Sequence, residues 1–209
     1  MENIKNDWIS DKNIPNGKRA VLLAGLTLFS AQGFDNTSTS ELAAEAQVSE
    51  ATIYKYFKTK YDLLLAIINP MIANFIPKSA LALQSEIKEI DLTLDTFVHF
   101  FVQNRWDFLK QNHESIQILI TEILTDSSIK RLFVETMNIH TPFLKNILLH
   151  LLEQNNNLNP QLTADDFART IIGFLLTYFM QVNLFDIETA KTEEQTLATI
   201  EMQIIRALT

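Results

Sequence analysis

Residues 38–60 read STSELAAEAQVSEATIYKYFKTK, and three helix starts fall within this one stretch. Ser38 with Glu41 three residues on is a capping box: the serine accepts from an orphan backbone N–H and the glutamate reaches back to the cap. Ser49 supplies the next N-cap, and Thr59 with Asp62 the third. Gln47, Val48 and Ser49 form a three-residue turn between the first two helices. Leu42, Ala43 and Ala46 give the first helix one inward face, Val48 plugs the turn, and Ile53 and Phe57 sit i, i+4 on the second helix toward the same core. These spacings predict a helix-turn-helix with a third helix directly after it.

Polar chemistry gathers on the other side. Glu50, Thr52, Lys55 and Tyr56 project away from the Ile53/Phe57 stripe, Ser38, Thr39 and Ser40 stand at the start of the first helix, and Lys58 and Lys60 follow the second. A helix-turn-helix that reads DNA needs this distribution, one helix for the major groove and hydroxyls, amides and lysines on both sides for phosphates. The pattern alone also fits a small helical hairpin whose polar face is merely hydrated.

The stretch resembles the DNA-binding domain of the TetR (tetracycline-repressor-like) family of bacterial regulators. The resemblance runs without a gap through Gly33, Phe34, Ser38, Leu42, Ala43, Ala46, Val48, Ser49, Thr52, Tyr54, Tyr56, Phe57, Lys60 and Leu63. It departs at Gln47 and Ala51, where the family favours Gly, and at Glu50, often basic or neutral in relatives. A non-Gly residue in a left-handed turn costs on the order of 1 kcal/mol. The resemblance implies base-edge contacts from Glu50, Ala51, Thr52 and Lys55; a Glu there accepts from a cytosine amino group and a Thr touches a thymine methyl. It implies groove-edge contacts from Thr39 and Ser40, a place for Ser49 in the same interface, and phosphate contacts from Ser38, Tyr54, Tyr56 and Lys60. Tyr54 and Tyr56 lie about 200° apart on a helix, so one of them is expected to be packed. The resemblance further implies a homodimeric repressor on a palindromic double-stranded DNA operator, released by a small-molecule effector.

The net charge of −8 weighs against DNA binding until it is divided: residues 1–62 hold seven Lys/Arg and eight Asp/Glu, residues 63–209 ten and seventeen. Local rather than total charge sets phosphate binding, and Lys18, Arg19, Lys55, Lys58 and Lys60 are candidates for one basic face. The absence of Cys excludes a disulfide framework and thiolate metal sites and fits a cytoplasmic protein. MENIKNDW is no signal peptide. The apolar stretch 171–185 is broken by Gly173, Thr177, Gln181 and Asn183, so no membrane span is expected.

Along the chain, a polar arm (1–15) with Lys5 and Lys12 precedes a helix over 17–32 whose stripe is Val21, Leu22, Gly25, Leu28 and Phe29, with Gly33 and Phe34 fitting a Schellman ending. The helix from Lys60 is expected to be interrupted or kinked at Pro70 and Pro77, forming a joint. Helical patterns follow at 78–90, 92–111, 114–126 and 128–154, with a loop at 155–160. A helix at about 164–185 is apolar nearly all round, and the last starts at Thr192 with Leu197, Ile200, Ile204 and Leu208 at helical spacing. These last two helices are expected to pair with their copies as a four-helix bundle. No strand signal survives. The expected fold is all-α with about nine helices: a helix-turn-helix DNA-binding domain at 14–62 (motif 38–57) and a helical effector-binding and dimerisation domain at 63–209.

No motif of an enzyme, metal site or cofactor fingerprint occurs; His99, His113, His140 and His150 lack metal-pair spacing. For an effector pocket the aromatic helix offers Phe97, Phe100, Phe101, Gln103 and Trp106, with His140, Phe174 and Tyr178 from elsewhere, although aromatics at such spacing also make plain core. The acidic balance, Gln47 and Glu50 keep open a second reading, a dimeric helical sensor or scaffold that does not bind DNA.

Overall fold

A computed structural model describes residues 13–89, 91–140, 142–154, 157–185 and 187–209. Among these the regular elements are all helical. They are α1 Asn16–Gln32, α2 Thr39–Glu45, α3 Glu50–Tyr56, α4 Lys60–Pro70, a π-helical segment Met71–Phe75, α5 Ile76–Ile87, α6 Leu94–Gln111, α7 His113–Thr125, α8 Ser127–His140, α9 Pro142–Gln154, α10 Ala164–Asn183 and α11 Glu193–Leu208. The arm up to residue 12, with Lys5 and Lys12, and the side chain of His140 lie outside the described residues, as do positions 155 and 156 of the expected loop.

The chain forms two compact units, the described residues up to Ile76 with Gln111–Thr136, and Pro77–Lys110 with Met137–Thr209. In the first unit α1 packs on α2, α3, α4 and α7, and α4 also meets α7. Val21, Leu22, Leu26 and Phe29 of α1 share a core with Leu42, Ile53, Leu63, Leu64, Ile67 and Ile68; Leu28 is only half-buried. Helices α1 and α4 approach so closely at Gly25 that a Cβ there would stand 2.9 Å from Ile67 Cδ1. In the second unit α10 packs on α9 and α11.

Of the two expected proline interruptions, the one at Pro70 is met by a change of helix type and none occurs at Pro77: residues 60–87 are helical throughout. The backbone widens to π geometry just after Pro70, with Ile76 N–H donating to Met71 O; a π turn is a known way for a helix to absorb a disrupted backbone hydrogen bond. This run, rather than 171–185, is long and apolar enough by composition to cross a membrane, yet Leu63, Leu64, Ile67, Ile68, Met71, Ile72 and Phe75 spend its apolar face on the protein's own core. Gly33 does carry a positive φ of 85° and donates to Phe29 O, but its ψ of 158° is extended, so α1 does not end in a Schellman motif. Phe34 still packs edge-on against Phe29, centroids 5.4 Å apart.

Candidate nucleic-acid interface

The turn between α2 and α3 follows from its caps. Ser38 Oγ accepts from Glu41 N (3.2 Å) while Glu41 Oε2 accepts from Ser38 N (2.8 Å), closing the expected box. Ser49 Oγ accepts from Thr52 N at 3.2 Å, and Thr59 and Asp62 form a third box. Gln47, at φ 54°, is the one positive-φ non-glycine residue among those described. It takes the left-handed position at which the family of the resemblance favours Gly.

The outer face of α3 is accessible. Glu50, Ala51, Tyr54 and Lys55 are exposed, Thr52 is half-buried, and Ser38 and Ser40 stand exposed on the neighbouring helix start. Thr39 Oγ1 donates to Glu50 Oε2 at 3.0 Å, joining α2 to α3 across the polar face. The two tyrosines part company as helical geometry requires: Tyr54 is half exposed to solvent, whereas Tyr56 lies against Gly17 at the start of α1, its ring 3.3 Å from where a Cβ would stand. Lys55 Nζ sits 5.4 Å from the Tyr56 ring centroid and Lys18 Nζ 5.6 Å from that of Phe57. Lys58 is exposed.

Lys60 has a different occupation from the one its position suggested. Its ammonium donates to Phe34 O at 2.6 Å and Thr37 O at 2.7 Å, with Asp35 O at 3.5 Å, and lies 4.3 Å from the Phe34 ring centroid. Two short bonds turn the ammonium inward, so the phosphate contact drawn from the resemblance is corrected to a structural one: Lys60 ties the α1–α2 loop to α4.

Behind this loop sit acids that periodicity could have flagged. Ser115, Ile118, Leu119 and Glu122 share one buried face of α7; a glutamate in that register is buried by geometry. Burial pushes the Glu122 carboxyl above its ordinary range, and repulsion from Asp35 and Asp126 adds to this while Lys60 opposes it. Asp126 moves the other way, held well below the usual carboxylate range by the Ser128 hydroxyl, the Tyr61 hydroxyl and the Ile129 amide. Tyr61 Oη donates to Asp126 Oδ2 at 2.7 Å, linking α4 to the α7–α8 junction.

In the second unit the expected pocket residues separate into two groups. Phe97 stacks on Phe167 (centroids 5.6 Å) and meets Phe101 (5.7 Å), and Trp106 stacks on Tyr178 (4.5 Å). Phe97, Phe101 and Trp106 are buried, and each of their rings packs against another aromatic ring. Gln103 Nε2 donates to Glu201 Oε1 (2.9 Å) and His99 Nδ1 lies 3.1 Å from the same carboxylate, which ties α6 to α11. Phe100 is half-buried. Phe174 and Tyr178 border an open groove of about 540 Å³ between α10 and α11, with Gly173, Thr177, Thr199 and Ile200 among its other walls. A half-buried cation escaped the sequence reading: Arg105 donates to Ser79 O (3.3 Å) and to Asn104 Oδ1, whose amide donates to Glu86 Oε2 at 2.8 Å. Desolvation pulls the Arg105 guanidinium down to about 10, with Glu86 opposing. Neither its position nor its neighbours carried a motif.

Residues 21–67 match the profile of the bacterial regulatory proteins of the tetR family. Over 168 residues the chain is 26% identical to the nucleoid occlusion factor SlmA of Mannheimia succiniciproducens, spanning 77% of this chain and 72% of that protein. Its fold is similar to that of the transcriptional regulator FadR of Bacillus subtilis in complex with stearoyl-CoA (TM-score 0.61, 18% identity, 91% of this chain and 97% of that one). It is likewise similar to AibR in complex with isovaleryl coenzyme A and operator DNA (TM-score 0.67, 19% identity, 90% and 97%).

Proposed function

The chain belongs to the tetR family of bacterial regulatory proteins, and on that premise we propose that it is a homodimeric repressor which binds a palindromic operator through α3 and is released by a small-molecule effector. The observation that carries the reading is the face of α3: an exposed helix with Glu50, Ala51, Tyr54 and Lys55 outward and Ile53 buried, flanked by the exposed hydroxyls of Ser38, Ser40 and Ser49. Ser38, Ser40, Ser49 and Tyr54, with the Thr52 hydroxyl, hold phosphates or the groove edge; Tyr56 steadies α3 against α1. Two copies of α3 one helical turn apart, about 34 Å, meet two half-sites.

The DNA-binding part is residues 14–62, and residues 63–209 serve effector and dimer. For the dimer the support is apolar surface on α10 and α11 that one chain leaves bare: Ile172, Leu176, Val182 and Met202 are each exposed, in helices whose other faces are already packed. For the effector the support is the pair of similar folds described with acyl-CoA ligands, with Phe174 and Tyr178 as the aromatic contacts nearest open space. The effector acts through its differential affinity for two subunit arrangements.

A fluorescence-anisotropy titration of duplex DNA taken from upstream of the protein's own gene tests the reading, repeated as salt is raised. A log–log salt slope of several units, steeper on this duplex than on an unrelated one, is expected; equal weak binding to both would instead favour a dimeric sensor without an operator.

A further inference from the structure

Glu50 is an odd residue to present to DNA. It is exposed on the outer face of α3, and among the described residues no cation pairs with it. A carboxylate brought against a polyanion is repelled by every sequence alike, and only a base-edge donor in reach repays the approach. In the major groove cytosine offers such a donor in N4–H₂, without the neighbouring N7 acceptor that adenine sets beside its own amino group. The side chain is also not free to wander: Thr39 Oγ1, at the start of α2, donates to Oε2 at 3.0 Å. That bond occupies one carboxylate oxygen and leaves Oε1 with its lone pairs available. Thr39 opens α2 directly after the capping box of Ser38 and Glu41, which sets its backbone.

Resting on the reading of α3 as the DNA-contacting helix, we infer that Thr39 and Glu50 form a two-residue, cross-helix reader of cytosine. Glu50 is the contact and Thr39 the positioning residue, and each half-site of the operator therefore carries a cytosine at one fixed place. The carboxylate selects as much by penalising thymine O4 and guanine O6, both acceptors, as by rewarding cytosine.

The test needs no prior operator. The full-length protein selects from a random duplex library at fixed salt, and bound sequences are read out for wild type, Glu50→Gln and Thr39→Val. Wild type is expected to enrich a palindrome with cytosine preferred at one half-site position by roughly tenfold, the discrimination of one good base contact. Glu50→Gln is expected to move that position toward adenine, since a carboxamide offers a donor and an acceptor together, leaving the other positions unchanged. Thr39→Val should reduce the cytosine preference without replacing it. A wild-type motif that Glu50→Gln leaves intact, or one whose altered position is not cytosine, overturns the reader. If wild type enriches no motif, the reading of α3 as a DNA helix falls with it. Should Thr39→Val lose helicity by circular dichroism, the isosteric Glu50→Gln carries the test alone.

Discussion

Removing the ammonium of Lys60 should cost the first unit about 2–4 kcal/mol. Two of its bonds are short, 2.6 Å to Phe34 O and 2.7 Å to Thr37 O, and a hydrogen bond to a charged group is worth about 1.5–3 kcal/mol. The third, at 3.5 Å to Asp35 O, is too long to count. The position over the Phe34 ring adds roughly 0.5–1 kcal/mol. Against this, Phe34 is half-buried and Asp35 exposed, so water recovers part of the loss at those carbonyls; Thr37 is 1% exposed, and its neighbourhood recovers little. Lys60→Met keeps the aliphatic stem and deletes only the donors. Urea unfolding followed by far-UV circular dichroism should show its midpoint falling by roughly 1–2 M, given a slope of about 2 kcal/mol/M. A fall in stability below about 0.5 kcal/mol, combined with a loss of about one unit of salt slope in DNA binding, would refute the inward role and restore the phosphate contact.

Two carboxylates and one apolar surface residue give three further tests. Glu122, whose folded pKa is raised, contributes stability that is present below its unfolded pKa and lost as pH rises through the folded value; Glu122→Gln should therefore raise the thermal midpoint at pH 7 and change it little near pH 4, and an equal rise at both would contradict this. Asp126 is the opposite case, depressed in the fold by Ser128 first and then Tyr61, so its contribution is present above about pH 4 and lost as pH falls. Asp126→Asn should flatten the acid limb of stability against pH, and an unchanged limb would remove the Tyr61–Asp126 link from the account. Leu176→Glu, on the exposed face of α10, should give a folded monomer in sedimentation equilibrium; a dimer of unchanged affinity would place the interface elsewhere.

Local chemistry was the most legible part of the chain. The caps at Ser38, Ser49 and Thr59 all form as their spacing dictates, because a cap is decided within four residues. The divergence of Tyr54 and Tyr56 follows equally from geometry, whereas the left-handed Gln47 was legible only through the family resemblance. Lys60 was misread because its partners lie 23–26 residues earlier, and nothing local says that carbonyls will converge there. The aromatics of α6 carried a helical period but no statement of who faces them; Phe167 and Tyr178 complete the stacks from a helix some 70 residues away. The helical run through Pro70 and Pro77 shows the same limit, since a π segment is an adjustment that sequence pattern does not announce.

The central claim is that α3 reads an operator. Footprinting of the purified protein on DNA flanking its own gene, at two salt concentrations, tests it most directly. A protected palindrome with half-sites about one helical turn apart, fading as salt rises, is the predicted result. No protection at low salt from a folded dimer would contradict it.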